Sequence, residues 1–233
     1  LVKVITGIRR CGKSTILRQI IAEIKLKVDE AHIVYVNFED YKYHKLTDTD
    51  LFYEYIEKKI VDEEKYYLFF DEIQNVVNFE LVVNSFRATH NVSIFITGSN
   101  SKLLSGELAT HLSGRTISIR VLPFNFAEFC QYKALDEPDY DKLLAEYMTY
   151  GGLPLVCGAE SKETKEVILN NIYDAVVLKD IVMRNKVSSP VALEKVLNYV
   201  VGNSSLTVSG NTIASTLSSN GHKISAPVVY DYL

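Results

Sequence analysis

The sequence predicts an α/β protein with a parallel sheet covered by helices on both sides. Three observations lead there. Short apolar, β-branched runs alternate with longer segments of helical spacing over residues 1–122. The runs are continuously apolar, as expected of strands buried on both faces rather than on one. After Pro123 the strand-like runs stop and helical patterns take over.

The strand runs are LVKVIT (1–6), HIVYVNF (32–38), YYLFF (66–70), VSIFIT (92–97) and TISIRV (116–121). Between them, helical periodicity falls at 13–27, 48–61, 79–90 and 101–112. The second part begins with FNFAEFCQY and YDKLLAEYMTY; GGLP (151–154) then separates these from a long segment running from Ser161 to about Asn185. From Pro190 three short helices are expected, PVALEKVLNYVVGN, SGNTIASTLSSN and SAPVVYDYL, with Gly and Asn at the junctions. That order is the outline of a helix-turn-helix. The expected organisation is therefore an α/β domain over 1–122, a helical lid or linker over 123–185, and a helix-turn-helix end over 186–233.

Composition narrows the classes. With 47% hydrophobic and 23% charged residues in 233, the chain reads as a soluble protein with one sizeable core or two smaller ones. It has no apolar stretch of membrane-spanning length and no signal-peptide pattern, so membrane and export are not indicated. Cys11, Cys130 and Cys157 are too few and scattered for a disulfide scaffold or a zinc site; a reducing, cytoplasmic setting is expected. A formal charge of −4 removes any bulk-charge argument for nucleic acid, leaving a local basic face open. The chain opens at Leu1 inside a strand-like run and stops at VVYDYL, so it reads as a fragment.

The strongest chemical signal is GIRRCGKST at 7–15. Gly7, Gly12, Lys13 and Ser14 satisfy G-x-x-x-x-G-K-[ST], with a strand before and an amphipathic helix after, which is the context a phosphate-binding loop requires. Such a match arises by chance in roughly one sequence in a hundred of this length. Glycines let backbone N–H groups turn inward on a polyphosphate, whose charge the helix dipole also favours. Lys13 is then expected to bridge the β- and γ-phosphates, the Ser14 hydroxyl to take one Mg²⁺ position, and Thr15 to lie near the α-phosphate. Arg9 and Arg10 either raise the positive potential at the loop mouth or are solvated loop residues. Cys11 is either an oxidisable thiol that would block entry or a small residue that fits.

A phosphate loop also needs a second anchor for Mg²⁺ and a group to activate water. YYLFFDEIQ supplies adjacent acids at the carboxyl end of a core strand, Asp71 for the metal and Glu72 for the water. The alternative is a helix cap, with Asp71 opening a helix and Glu72 supporting its dipole. A third polar group, Thr97, Ser99 and Asn100 in ITGSNSKLL, is open between γ-phosphate sensing and an ordinary N-cap.

In order, GIRRCGKST, VNFED, FFDEIQ, ITGSNSKLL, LSGRTISI, LPFNFAEF and YGGLP resemble the bacterial and archaeal AAA-like P-loop ATPases, whose front domain is followed by a helical segment and a winged helix. Members usually begin upstream of the loop and continue into a nuclease-like C-terminal domain. The resemblance implies a three-layer αβα P-loop fold with a five-stranded sheet of order 5-1-4-3-2, and ATP as the nucleotide. It also implies that Arg115 is an arginine finger directed at a neighbouring subunit, so that hydrolysis depends on a homo-oligomer; such a finger contributes ~10³–10⁵ in rate. The alternative for Arg115 is a charged residue closing the turn at Gly114. Two activities stay open: Mg²⁺-dependent ATP hydrolysis coupled to motion of the helical and winged-helix parts, or a nucleotide-gated switch or DNA-binding regulatory module that hydrolyses rarely. DNA binding through 190–233 has weak electrostatic support. Beyond Asn185 only Lys186, Lys195 and Lys223 stand against Glu194 and Asp231, and phosphate neutralisation dominates DNA affinity.

Overall fold

The computed structural model describes residues 1–98, 112, 114–134, 138–182, 187 and 189–233. The predicted helix at 101–112 and the candidates Ser99 and Asn100 fall outside the described residues, apart from Leu112. The chain divides into two compact units, Leu1–Lys165 and Glu166–Leu233.

The first unit is built on five parallel strands: β1 (Val2–Thr6), β2 (Ile33–Asn37), β3 (Tyr66–Asp71), β4 (Val92–Gly98) and β5 (Thr116–Arg120). Their order is β2-β3-β4-β1-β5, the arrangement the sequence led us to expect. Helices α1 (Lys13–Lys25), α2 (Thr49–Glu57) and α3 (Phe79–Thr89) cover the two faces. Successive residues of a strand point to opposite faces, so each strand divides its side chains between two cores. Val4, Val36, Leu68, Phe70, Ile94 and Ile96 pack with Phe52 and Ile56 of α2 and Val83 and Phe86 of α3. Ile5, Tyr35, Phe69 and Phe95 pack on the other side with Ile16, Leu17 and Ile20 of α1. Phe69 and Phe95 stack there with ring centroids 4.8 Å apart. Burying Leu68 or Phe70 fully, as here, contributes about 1.5–3 kcal/mol each.

Two differences from the sequence reading have plain causes. α1 and α2 are shorter than their periodic patterns, because the last apolar positions of those patterns, such as Leu26 and Val61, lie exposed beyond the helix ends. β5 is not buried on both faces: Ile117 and Ile119 are exposed, as an edge strand allows.

After β5 the first unit continues with α4 (Phe126–Lys133), α5 (Tyr140–Tyr150) and the short α6 (Pro154–Cys157). Asn125 opens α4 with a capping box, its side chain accepting from Glu128 N–H while Glu128 accepts from Asn125 N–H. α5 ends at Gly151, whose φ of 73° with ψ of −171° is a positive-φ extended conformation essentially confined to glycine. Gly152 must be glycine for a different reason: a Cβ there would stand 1.9 Å from the Phe124 carbonyl oxygen.

α7 (Lys162–Asp174) runs into a π-helical stretch, Ala175–Val182. In the second unit α8 (Pro190–Gly202), α9 (Gly210–Ser219) and α10 (Ala226–Tyr232) enclose a core of Val196, Ile213, Leu217 and Val229. Ser189 and Ser209 cap α8 and α9 by accepting from Ala192 and Thr212 N–H. The C-terminal region is helical, and no strand is present among its described residues. No helix of the described residues is long and apolar enough to cross a membrane.

Candidate functional site

The site forms where the carboxyl ends of β1, β3 and β4 meet the first turn of α1. The chain leaves β1 at Thr6 and turns sharply. At Gly7 a Cβ would lie 2.3 Å from the Val121 carbonyl oxygen and 2.7 Å from Cys11 Sγ. Arg10 and Gly12 both have positive φ, 63° and 104°. That backbone course carries the loop into α1 with Gly12 as N-cap, a residue with no side chain to cap the free N–H groups. Uncapped N–H groups at a helix start are suited to an anion. Lys13 is buried, its Nζ donating to the carbonyls of Gly7 (3.1 Å) and Ile8 (3.0 Å) and so folded back over its own loop.

The strand period explains the rest. Tyr35, Asp71 and Thr97 share the sheet face that α1 covers, and Ser14 meets them from the helix. Asp71 is 1% exposed. Its Oδ1 accepts from Ser14 Oγ (3.1 Å) and from Thr97 Oγ1; its Oδ2 accepts from the Tyr35 hydroxyl (3.2 Å). These are all uncharged hydroxyl donors around a buried carboxylate, so a divalent cation would supply compensating charge. A serine hydroxyl beside a carboxylate is a hard-oxygen donor pair of the kind Mg²⁺ takes, with phosphate and water completing the shell. Among the described residues no three His, Cys, Asp or Glu converge to hold a metal by themselves. The residues therefore fit a metal that arrives with a nucleotide.

Thr97 does a second job, accepting from Glu72 N–H at 3.0 Å. β3 ends at Asp71 and the chain turns at once, with Glu72 in the left-handed region at φ 54°. A glutamate there costs roughly 1 kcal/mol or more, held by its surroundings. Its carboxylate accepts from Gln74 Nε2, while Gln74 Oε1 is buried without a partner among the described residues. Asp71 caps nothing; Glu72, not Asp71, occupies the N-cap position, of a 3₁₀ turn over Ile73–Asn75, and without a side-chain cap.

The structure places other predicted residues as follows. Cys11 is buried among Ile5, Leu17, Phe69 and Val121. Arg10 is exposed and Arg9 half-buried, with Arg9 close enough to Glu39 to act on its charge. Burial, then the charge of Glu72, raises the Glu39 carboxyl above its ordinary value, with Arg9 opposing. Arg115 is not with the rest. It precedes β5 at the opposite end of the sheet, its carbonyl accepting from Val2 N–H and its guanidinium donating to Asn84 Oδ1 at 3.3 Å. β5 separates it from the loop by five residues, about 16 Å.

Sequence reasoning missed Tyr35, Glu39 and Gln74. A tyrosine inside an apolar strand needs a partner for its hydroxyl, and that was the available signal for Tyr35. Burial, then the Asp71 charge, raises its phenol above the usual value.

A cavity of about 780 Å³ lies beside the loop, lined by Gly12, Thr15, Gln19, Phe124, Tyr132 and Pro154 among others. Pro154 Cγ stands 4.0 Å from where a Cβ on Gly12 would be, so GGLP brings α6 against the loop.

A family model described as an AAA domain matches residues 1–130, and one described as a domain of unknown function matches residues 141–233. The chain is similar to an uncharacterized protein of Haemophilus influenzae, 39% identical over 236 residues, which covers 100% of this chain and 59% of that protein. An uncharacterized protein of Methanocaldococcus jannaschii is 33% identical over 241 residues, covering 100% of this chain and 53% of its own length. The chain thus spans between half and three-fifths of these curated relatives. Among solved structures, Aeropyrum pernix ORC1 in complex with DNA has a TM-score of 0.45 at 12% identity, covering 99% of this chain and 75% of that one. The C. elegans PCH-2 structure has a TM-score of 0.43 at 14% identity, with 99% and 59% covered.

Proposed function

The chain belongs to the AAA domain family, and from that premise we propose that it binds ATP with Mg²⁺ and hydrolyses it to ADP and phosphate. The observation that carries this is the meeting of Ser14, Asp71 and Thr97 at the first turn of α1, directly behind the loop that Lys13 closes. Lys13 exchanges its two loop carbonyls for the β- and γ-phosphates, and the uncapped N–H groups of α1 hold the anion. The cavity beside Gly12 takes the base, with Pro154, Phe124 and Tyr132 as its apolar walls. Ser14 and Asp71 would hold Mg²⁺, which would supply charge neutralisation at the phosphates.

Glu72 accepts a proton from the attacking water. As the water oxygen bonds to the γ-phosphorus, the bond to the β–γ bridging oxygen breaks and ADP leaves. For this the Glu72 carboxylate exchanges its bond with Gln74 for one with water. That engagement favours a second reading, a nucleotide-gated switch with rare turnover. We further propose motion of the helical parts with turnover, a homo-oligomer through Arg115, DNA contact through 190–233 and a cytoplasmic setting.

Nucleotide binding and steady-state turnover of wild type and Glu72→Gln test the reading together. Binding by both with turnover by the wild type alone supports the ATPase. Binding by both with slow release and no turnover supports the switch; no binding by either sinks both.

A further inference from the structure

Asp71 has two oxygens, and they are treated differently. Oδ1 meets Ser14 and Thr97; Oδ2 meets only the Tyr35 hydroxyl among the described residues. Tyr35 reaches it because β2 and β3 pair with Asn37 opposite Asp71, and the two-residue alternation puts Tyr35 on the same face. Arg18 reaches the same phenol. It lies one helical turn beyond Ser14, so the α1 face that brings Ser14 to the carboxylate also brings the Arg18 charge near enough to act on the tyrosine.

We propose that Tyr35 is a positioning residue that fixes the Asp71 carboxylate with Oδ1 turned to Ser14 and the metal. The proposal rests on the Mg²⁺–nucleotide reading above. A carboxylate can rotate about its last torsion and offer either edge. Tying Oδ2 to a phenol removes that freedom before a cation arrives, which is how outer partners tune a metal site. Without the phenol, Oδ2 would be a buried acceptor with no partner, and the edge facing Ser14 would no longer be set. The effect belongs to the cation, because Lys13 donates to the Gly7 and Ile8 carbonyls while the Tyr35 hydroxyl donates to Asp71. A merely structural tyrosine would instead weaken nucleotide binding with and without metal.

The test uses the full chain and a fluorescent ADP analogue, N-methylanthraniloyl-ADP. Affinity is measured in EDTA and across a Mg²⁺ titration for wild type, Tyr35→Phe and Arg18→Gln, with the EPR spectrum of Mn²⁺ bound with ADP as a second readout. Tyr35→Phe is expected to keep its EDTA affinity within about twofold while its Mg²⁺ midpoint rises ~10–100-fold and the Mn²⁺ signal broadens. Arg18→Gln is expected to shift the midpoint in the same direction by less. An unchanged Mg²⁺ midpoint in Tyr35→Phe overturns the proposal and leaves the ATP reading intact. Equal losses with and without metal also overturn it, making Tyr35 structural. A wild type that binds no nucleotide under either condition overturns both, and that failure is visible without any variant.

Discussion

Asp71 and Glu72 are neighbours in sequence with opposite surroundings. Asp71 is enclosed by three hydroxyls, whereas Glu72 sits at a left-handed turn with its carboxylate shared with Gln74. The first is suited to holding something in place and the second to exchanging partners. Replacing Glu72 by Gln keeps size and hydrogen bonding but removes the proton acceptor, so turnover should fall by ~10²–10⁴ with nucleotide affinity nearly kept. Lys13→Ala should abolish tight binding itself, measured by the same fluorescent titration, since the loop then loses its point charge. The loop and the acidic pair were legible in the sequence because a phosphate-loop pattern is written in consecutive residues and an acidic pair at a strand end is local. Tyr35 was not, because its value depends on the register of β2 against β3, which no local pattern encodes. Gln74 was hidden for a similar reason: its bond to Glu72 follows from the backbone turn between them.

Single elements carry two further consequences. GGLP looks like a loop in sequence, yet each glycine there has a separate task, Gly151 ending α5 and Gly152 letting Phe124 pass. Phe124 N–H donates to the Gly152 carbonyl at 2.8 Å, so the contact cannot easily open. Gly152→Ala should therefore cost about 1–3 kcal/mol through overpacking and lower Tm by several degrees in a thermal melt. The second consequence concerns Glu146 of α5, which pairs with Lys133 of α4 (2.9 Å) and with buried Lys165 of α7. Burial pushes the Glu146 carboxyl up, but hydrogen bonds from Lys165 and Lys133 outweigh it and hold it below the ordinary carboxylate range. A depressed acid stabilises the fold above its unfolded pKa, near 4.3, and that contribution is lost as pH falls through the folded value. Glu146→Gln should thus be less stable at pH 7 by about 1–2 kcal/mol, with the gap to wild type closing as pH falls through the depressed folded value, in denaturant melts over pH 3–7. Strand and helix positions were readable from hydrophobic period, including the change of layer after Pro123. This ion cluster was not, since residues 133, 146 and 165 share no spacing and meet only through packing.

At the scale of the whole molecule the question is whether one chain suffices. Arg115 stands at the end of the sheet away from its own loop, so it serves no nucleotide bound there. A finger role requires a second chain whose loop meets this end, a head-to-tail contact in which each site is completed by the next copy. In that arrangement the specific activity of the wild type rises with protein concentration, and Arg115→Ala lowers it ~10³-fold or more without changing nucleotide affinity. A mixing experiment separates this from a fold effect, because the two defects lie in different halves of the shared site. Arg115→Ala keeps an intact Glu72 and lacks the finger; Glu72→Gln keeps the finger and lacks the base. Combined, they form some sites with Glu72 from one chain and Arg115 from the other, and turnover should recover to a sizeable fraction of wild type. If the mixture stays as inactive as its parts while each variant binds nucleotide normally, Arg115 is a turn residue bonded to Asn84 and the chain does not complete its neighbour's site.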